Sequence, residues 1–213
     1  MQPARLLALL APALALGACA RTGEIDATGG VSAVRSVCPT VGVAAGTGDI
    51  TLFDPPASRD QSAIDVAAVM TNVRSTCDDA GEQIGTTVTF DVLARRARAD
   101  APRDVVLPYY VAVVRGGTVV TAKRIGRVPV HFDTGQTRAS ARGQATTYVA
   151  RSAATLPQNV REQLTRRRKA GDEDAAVDPL TNPEVRQAVL SATFEALVGF
   201  QLTEEQLRYN ATR

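Results

Sequence analysis

The sequence predicts a mostly β protein, an antiparallel β-sandwich with one short helical insertion and one short C-terminal helix. Three observations carry this. Short runs rich in Val, Ile, Thr and Tyr recur between Gly, Pro and Asp clusters along most of the chain. Thr86 to Ala94 alternates strictly, with Val88, Phe90, Val92 and Ala94 on one side. Two strand runs, Asp104 to Arg115 and Thr118 to Lys123, are separated only by Gly116-Gly117.

The elements follow in order. Cys38-Pro39 opens the body, because the residue before proline prefers extended backbone. Val41 to Phe53 is strand, interrupted at Gly46-Thr47-Gly48-Asp49, and Pro55-Pro56 ends it. Ile64 to Met70 is the next strand, and Asp78-Asp79-Ala80-Gly81 is a turn. In the alternating strand Leu93 is the misfit on the polar side. Asp104 to Arg115 is apolar on both faces, as in a central strand, yet Pro108 argues for an edge or a bulge. Gly116-Gly117 then joins it to Thr118–Lys123 as a hairpin.

Val128 to Phe132 reads as a separate short strand, and the weakly patterned Ala139–Val149 as its neighbour. Residues 155–185 form a helical and charged insertion. Val160 and Leu164 share a helix face there, and Arg166 to Lys169 is followed by Asp172, Glu173 and Asp174, a run that neutralises itself in solvent. Glu184 to Val198 fits helix and strand in different parts. Ala196 to Leu202 is strand, and Thr203-Glu204-Glu205-Gln206 is a capping box opening a helix that reaches Tyr209. An immunoglobulin-like topology is the expected arrangement, with a small barrel as the alternative. The tryptophan beside an antibody-type disulfide is missing, so the likeness concerns architecture alone.

Composition narrows the function classes. The 213 residues are 45% hydrophobic and 22% charged, the balance of a folded protein. Aromatics make up 4%, so the core must be built largely from aliphatic side chains. The net charge of +2 is no nucleic-acid footprint. A single histidine excludes a His-pair mechanism and a His-rich zinc site.

The N-terminus reads as an address. Arg5 precedes an apolar run of 12 residues, Leu6 to Gly17, shorter than the roughly 20 a spanning helix needs. It has the length of a secretory hydrophobic region. It ends in Leu16-Gly17-Ala18-Cys19, which resembles the lipobox of bacterial lipoproteins. That resemblance implies a signal peptide over 1–18, cleavage before Cys19, and lipid on the Cys19 thiol that anchors the protein to a membrane. Ala20 is similar to the residue after the cysteine in outer-membrane lipoproteins. The expected location is therefore the periplasmic side of the outer membrane. Residues 19–36 are rich in Gly, Thr and Ala and read as a lipidated flexible tether, leaving 37–210 for the sandwich domain. With Cys19 lipidated, Cys38 and Cys77 are expected to pair, as an oxidising compartment allows.

Cys38-Pro39, the run Leu107 to Val114, and Gly199 to Asn210 together resemble a family of uncharacterised alphaproteobacterial envelope lipoproteins. The likeness covers roughly residues 38–210 and implies a location and a scaffold but no catalytic residue.

Candidate chemistry is sparse. Asp78, Asp79 and Glu82 are a conceivable calcium cluster but read better as a polar turn. His131 lies opposite the face of Val128, Val130 and Phe132, and Asp133 is expected not to converge on it. Of Tyr109 and Tyr110, one reads as core and the other as half-exposed surface, with a partner contact at Tyr109 and Tyr110 as the functional alternative. No cofactor, metal or nucleic acid is expected. The expected function is a non-enzymatic docking or assembly module with an envelope protein as partner, its exposed edges at the Pro108 and Pro129 strands. The alternatives are a carrier of small hydrophobic ligands and a carboxylate-dependent hydrolase.

Overall fold

The computed structural model describes residues 36–166, 171 and 177–212. Cys19, the expected signal peptide, nearly all of the expected tether and the basic-then-acidic run after Arg166 lie outside the described residues. Eight strands form two four-stranded sheets: β1 Thr40–Val43, β2 Asp49–Phe53, β3 Ile64–Asp78, β4 Gln83–Arg96, β5 Arg103–Arg115, β6 Val119–Phe132, β7 Arg138–Ala150 and β8 Phe194–Phe200. The strand orders are β1-β8-β5-β6 and β2-β3-β4-β7. This is the expected sandwich. Every pairing is antiparallel except that of β1 with β8, which is parallel.

The helices are α1 Arg151–Ala154, α2 Gln158–Thr165, α3 Pro183–Ser191 and α4 Glu204–Thr212. The first three lie between β7 and β8; α2 falls within 155–185, while α1 precedes that range and α3 runs past it. The ambiguous stretch around residue 190 divides cleanly. Asn182 caps α3 by accepting from the Glu184 N–H, and Pro183 at the first position suits a helix start. The chain turns extended at Phe194.

The alternation in β4 places Val88, Phe90, Val92 and Ala94 in the interior, while Leu93 is 49% exposed. Facing them are Val105, Leu107, Tyr109 and Val111 of β5, Val128, Val130 and Phe132 of β6, and Ala196, Val198 and Phe200 of β8. A smaller cluster of Ile84, Val113, Val149, Ala154 and Phe194 continues the core.

Two expectations are corrected, both because a glycine sits under an aromatic ring. β6 is one continuous strand, not two. At Gly126 a Cβ would lie 2.4 Å from the Tyr109 ring, so glycine carries the strand past that ring. β7 pairs with β4, not with β6. Its inward residues are small, and a Cβ at Gly143 would lie 2.2 Å from the Phe90 ring. Phe90 and Tyr109 meet edge to face at 4.9 Å, so one aromatic pair fixes both glycines.

β5 is central, between β8 and β6, so Pro108 does not mark an edge. The Gln201 N–H donates to the Pro108 carbonyl, so Pro108 turns its backbone toward β8. The paired part of β8 ends opposite Tyr109, and the missing N–H therefore falls beyond the ladder.

Arg96, 4% exposed, closes one end of the sandwich. Its guanidinium donates to the carbonyls of Ala101, Asp133 and Gln136 and lies over the Phe132 ring.

Candidate functional site

Cys38 and Cys77 form a disulfide, with an S–S distance of 2.07 Å. Cys38 precedes β1 in one sheet and Cys77 lies near the end of β3 in the other, so the bond joins the two sheets.

Tyr109 is a core residue, 8% exposed, and its hydroxyl donates to the Gln144 carbonyl at 2.6 Å. Burial raises its pKa above the usual phenol value. Tyr109 is thus the core member of the pair, with ring and hydroxyl both used internally, which leaves Tyr110 as the candidate partner contact. Tyr110 points to the outer face, half-buried. Its hydroxyl lies 3.3 Å from the Thr47 hydroxyl, and the Lys123 ammonium stands 4.5 Å from its ring centre.

Asp78, Asp79 and Glu82 flank the β3–β4 turn as exposed residues. Asp78 spends one oxygen on the Ala80 N–H. Among the described residues no three His, Cys, Asp or Glu side chains group to hold a metal.

His131 differs from expectation. Its Nδ1 lies 2.7 Å from Asp104 Oδ1 and its Nε2 3.3 Å from Asp133 Oδ1. Residues two apart on a strand share a face, so Asp133 does converge. Asp104 faces His131 directly across the β5–β6 ladder. The hydrogen bond to Asp104 is the largest cause holding the imidazole pKa above its usual value, followed by the Asp104 charge and a smaller contribution from Asp133. Both ring nitrogens thus face carboxylates, which favour the charged form of the imidazole.

The Pro129 strand is an edge as expected, being part of β6; the exposure of the first half of β6 was not foreseen. Val119 through Ile125 are all exposed, on both faces of the strand. Val120 is 60% and Ile125 65% exposed. β6 is the last strand of its sheet and pairs only with β5. Lys123, Arg124 and Arg127 line it, and none forms an ion pair with a carboxylate among the described residues. A sequence signal was present: no Asp or Glu occurs between Asp104 and Asp133.

The backbone direction along this edge follows from the ladder. Pro108 faces β8, so its partner Arg127 turns its N–H and C=O away from β5. By alternation Lys123 and Ile125 do the same, and so does Pro129, whose missing N–H falls on the free side. No protein-family model, curated protein or solved structure matches the chain.

Proposed function

We propose that this protein is a lipid-anchored envelope lipoprotein on the periplasmic side of the outer membrane, acting as a non-enzymatic docking module. The anchor reading rests on Leu16-Gly17-Ala18-Cys19. Pairing of Cys38 with Cys77 supports it, because the bond suits an oxidising compartment and leaves Cys19 without a cysteine partner in its own chain. The observation that carries docking is the free edge of β6, with Val119 through Ile125 exposed on both faces. Strand edges of this kind recruit partners by strand addition. The carrier alternative is less favoured, since large side chains such as Phe90, Leu107, Phe132 and Phe200 fill the space between the sheets.

The experiment compares the native chain with Cys19→Ser in cells, each with a photoreactive residue at position 125. Cys19→Ser is expected to lose lipid label, leave the membrane pellet and lose the crosslinked adduct of the native chain. A labelled, pelleted Cys19→Ser protein overturns the anchor. No adduct from position 125 in the native chain overturns docking through this edge.

A further inference from the structure

We propose that the β6 edge from Lys123 to Arg127 accepts an acidic extended peptide segment as an added antiparallel strand. The inference rests on the docking reading above and assigns its partner a chemistry. Three observations converge on it.

The first is the direction of the backbone. Lys123, Ile125 and Arg127 turn their N–H and C=O groups to the free side, in a spacing that matches alternate residues of an incoming strand. Pro129 presents no N–H on that side and ends the usable ladder.

The second is charge. Lys123 and Arg127 flank Ile125 on the outer face, where cross-strand partners such as Tyr110 also lie, and Arg124 stands on the opposite face. These three cations have no carboxylate partner among the described residues. A segment with carboxylates opposite 123, 124 and 127 and an aliphatic residue opposite 125 fits the edge side chain by side chain.

The third weighs against a second copy of the chain paired about Ile125. Antiparallel self-pairing about Ile125 would set Lys123 of each copy against Arg127 of the other, and like charges directly opposed destabilise a pair. Charged side chains and proline on an edge commonly guard it against strand addition. Here they repel a like copy and leave an acidic strand as the complementary one.

The test uses the full lipidated chain in detergent micelles. The probe is the acetylated, amidated peptide Thr-Glu-Thr-Val-Glu-Glu-Thr, and its control carries Lys for every Glu. Amide hydrogen exchange at Lys123, Ile125 and Arg127 is expected to slow at least tenfold with the acidic peptide and to stay unchanged with the control. The Lys123→Glu, Arg127→Glu double variant is expected to bind the acidic peptide at least tenfold more weakly and to gain binding to the control. Ile125→Pro removes one outward N–H, leaves the β5 ladder intact and abolishes the protection.

Equal protection by both peptides overturns the proposal, as does protection confined to β1 or β7. Protection of these amides by phosphatidylglycerol vesicles without any by the acidic peptide also overturns it, in favour of a lipid contact. The two readings fail separately. A crosslinked adduct at position 125 without peptide protection removes the acidic strand and keeps docking. Absence of both removes docking through this edge as well.

Discussion

Single residues settle how the two sheets fit. Gly126 and Gly143 are cut to the shapes of Tyr109 and Phe90, and a methyl group at either position has no room. Gly126→Ala and Gly143→Ala should each cost about 1–3 kcal/mol, the usual range for overpacking a tight core. Gly85→Ala should be near neutral, since the nearest atom to its Cβ is a flexible Tyr148 carbon at 3.4 Å. Urea midpoints measure all three, and equal midpoints would refute the fit. His131 gives a pH prediction. Its folded pKa is raised above about 6.5, so stabilisation from the charged ring is complete below that pH and is lost as the pH rises through the folded value. The ring is exposed, so the readout is the titration itself. Ring-proton NMR should place the midpoint above 6.5. Asp104→Asn should lower it more than Asp133→Asn, because Asp104 supplies the largest contribution. Asp65 runs the other way. Its bidentate bond to Arg103 holds its pKa below the usual carboxylate value, and that contribution disappears as the pH falls through the folded value.

At the scale of elements, α4 shows why the closing segment is distinctive. Gln206 and Thr203 make the reciprocal capping contacts, at 2.9 and 3.2 Å. Asn210 donates to the carbonyls of Gly46 and Asp49, and Tyr209 meets Phe53 edge to face. Arg59 adds an ion pair to Glu205. The segment thus fastens the β1–β2 and β2–β3 loops, while Gly199 leaves room for Thr47 against β8. Thr203→Ala should cost about 1 kcal/mol as a lost cap. Asn210→Ala should cost about 1–3 kcal/mol, since it removes two hydrogen bonds. Hydrogen exchange in α4 should accelerate in both variants before the sheets open, and unchanged α4 exchange would refute this role. Strand boundaries were harder to read than this cap. The capping box is a pattern of four adjacent residues. The continuity of β6 depends on a ring contributed by β5.

For the whole molecule, the Cys38–Cys77 bond closes a loop of separation 39 and joins one sheet to the other. In the chain-entropy account it contributes about 4 kcal/mol by restricting the unfolded chain. That is a large fraction of the roughly 5–15 kcal/mol by which domains are stable. The Cys38→Ser, Cys77→Ser double variant should lose up to about that amount in urea denaturation. A loss below about 1 kcal/mol would show that the unfolded chain is already constrained. The sequence by itself determined the strand-rich class, the alternation of β4, the turn after β3 and the caps of the last helix. Each is written in neighbouring residues. Only the tertiary structure decided that β7 lies beside β4, that Pro108 sits in a central strand, that Tyr109 is interior, that Asp104 and Asp133 both reach His131, and that half of β6 stands free. Strand partners and edges are set by which apolar faces bury one another, and that choice is made between segments distant in sequence.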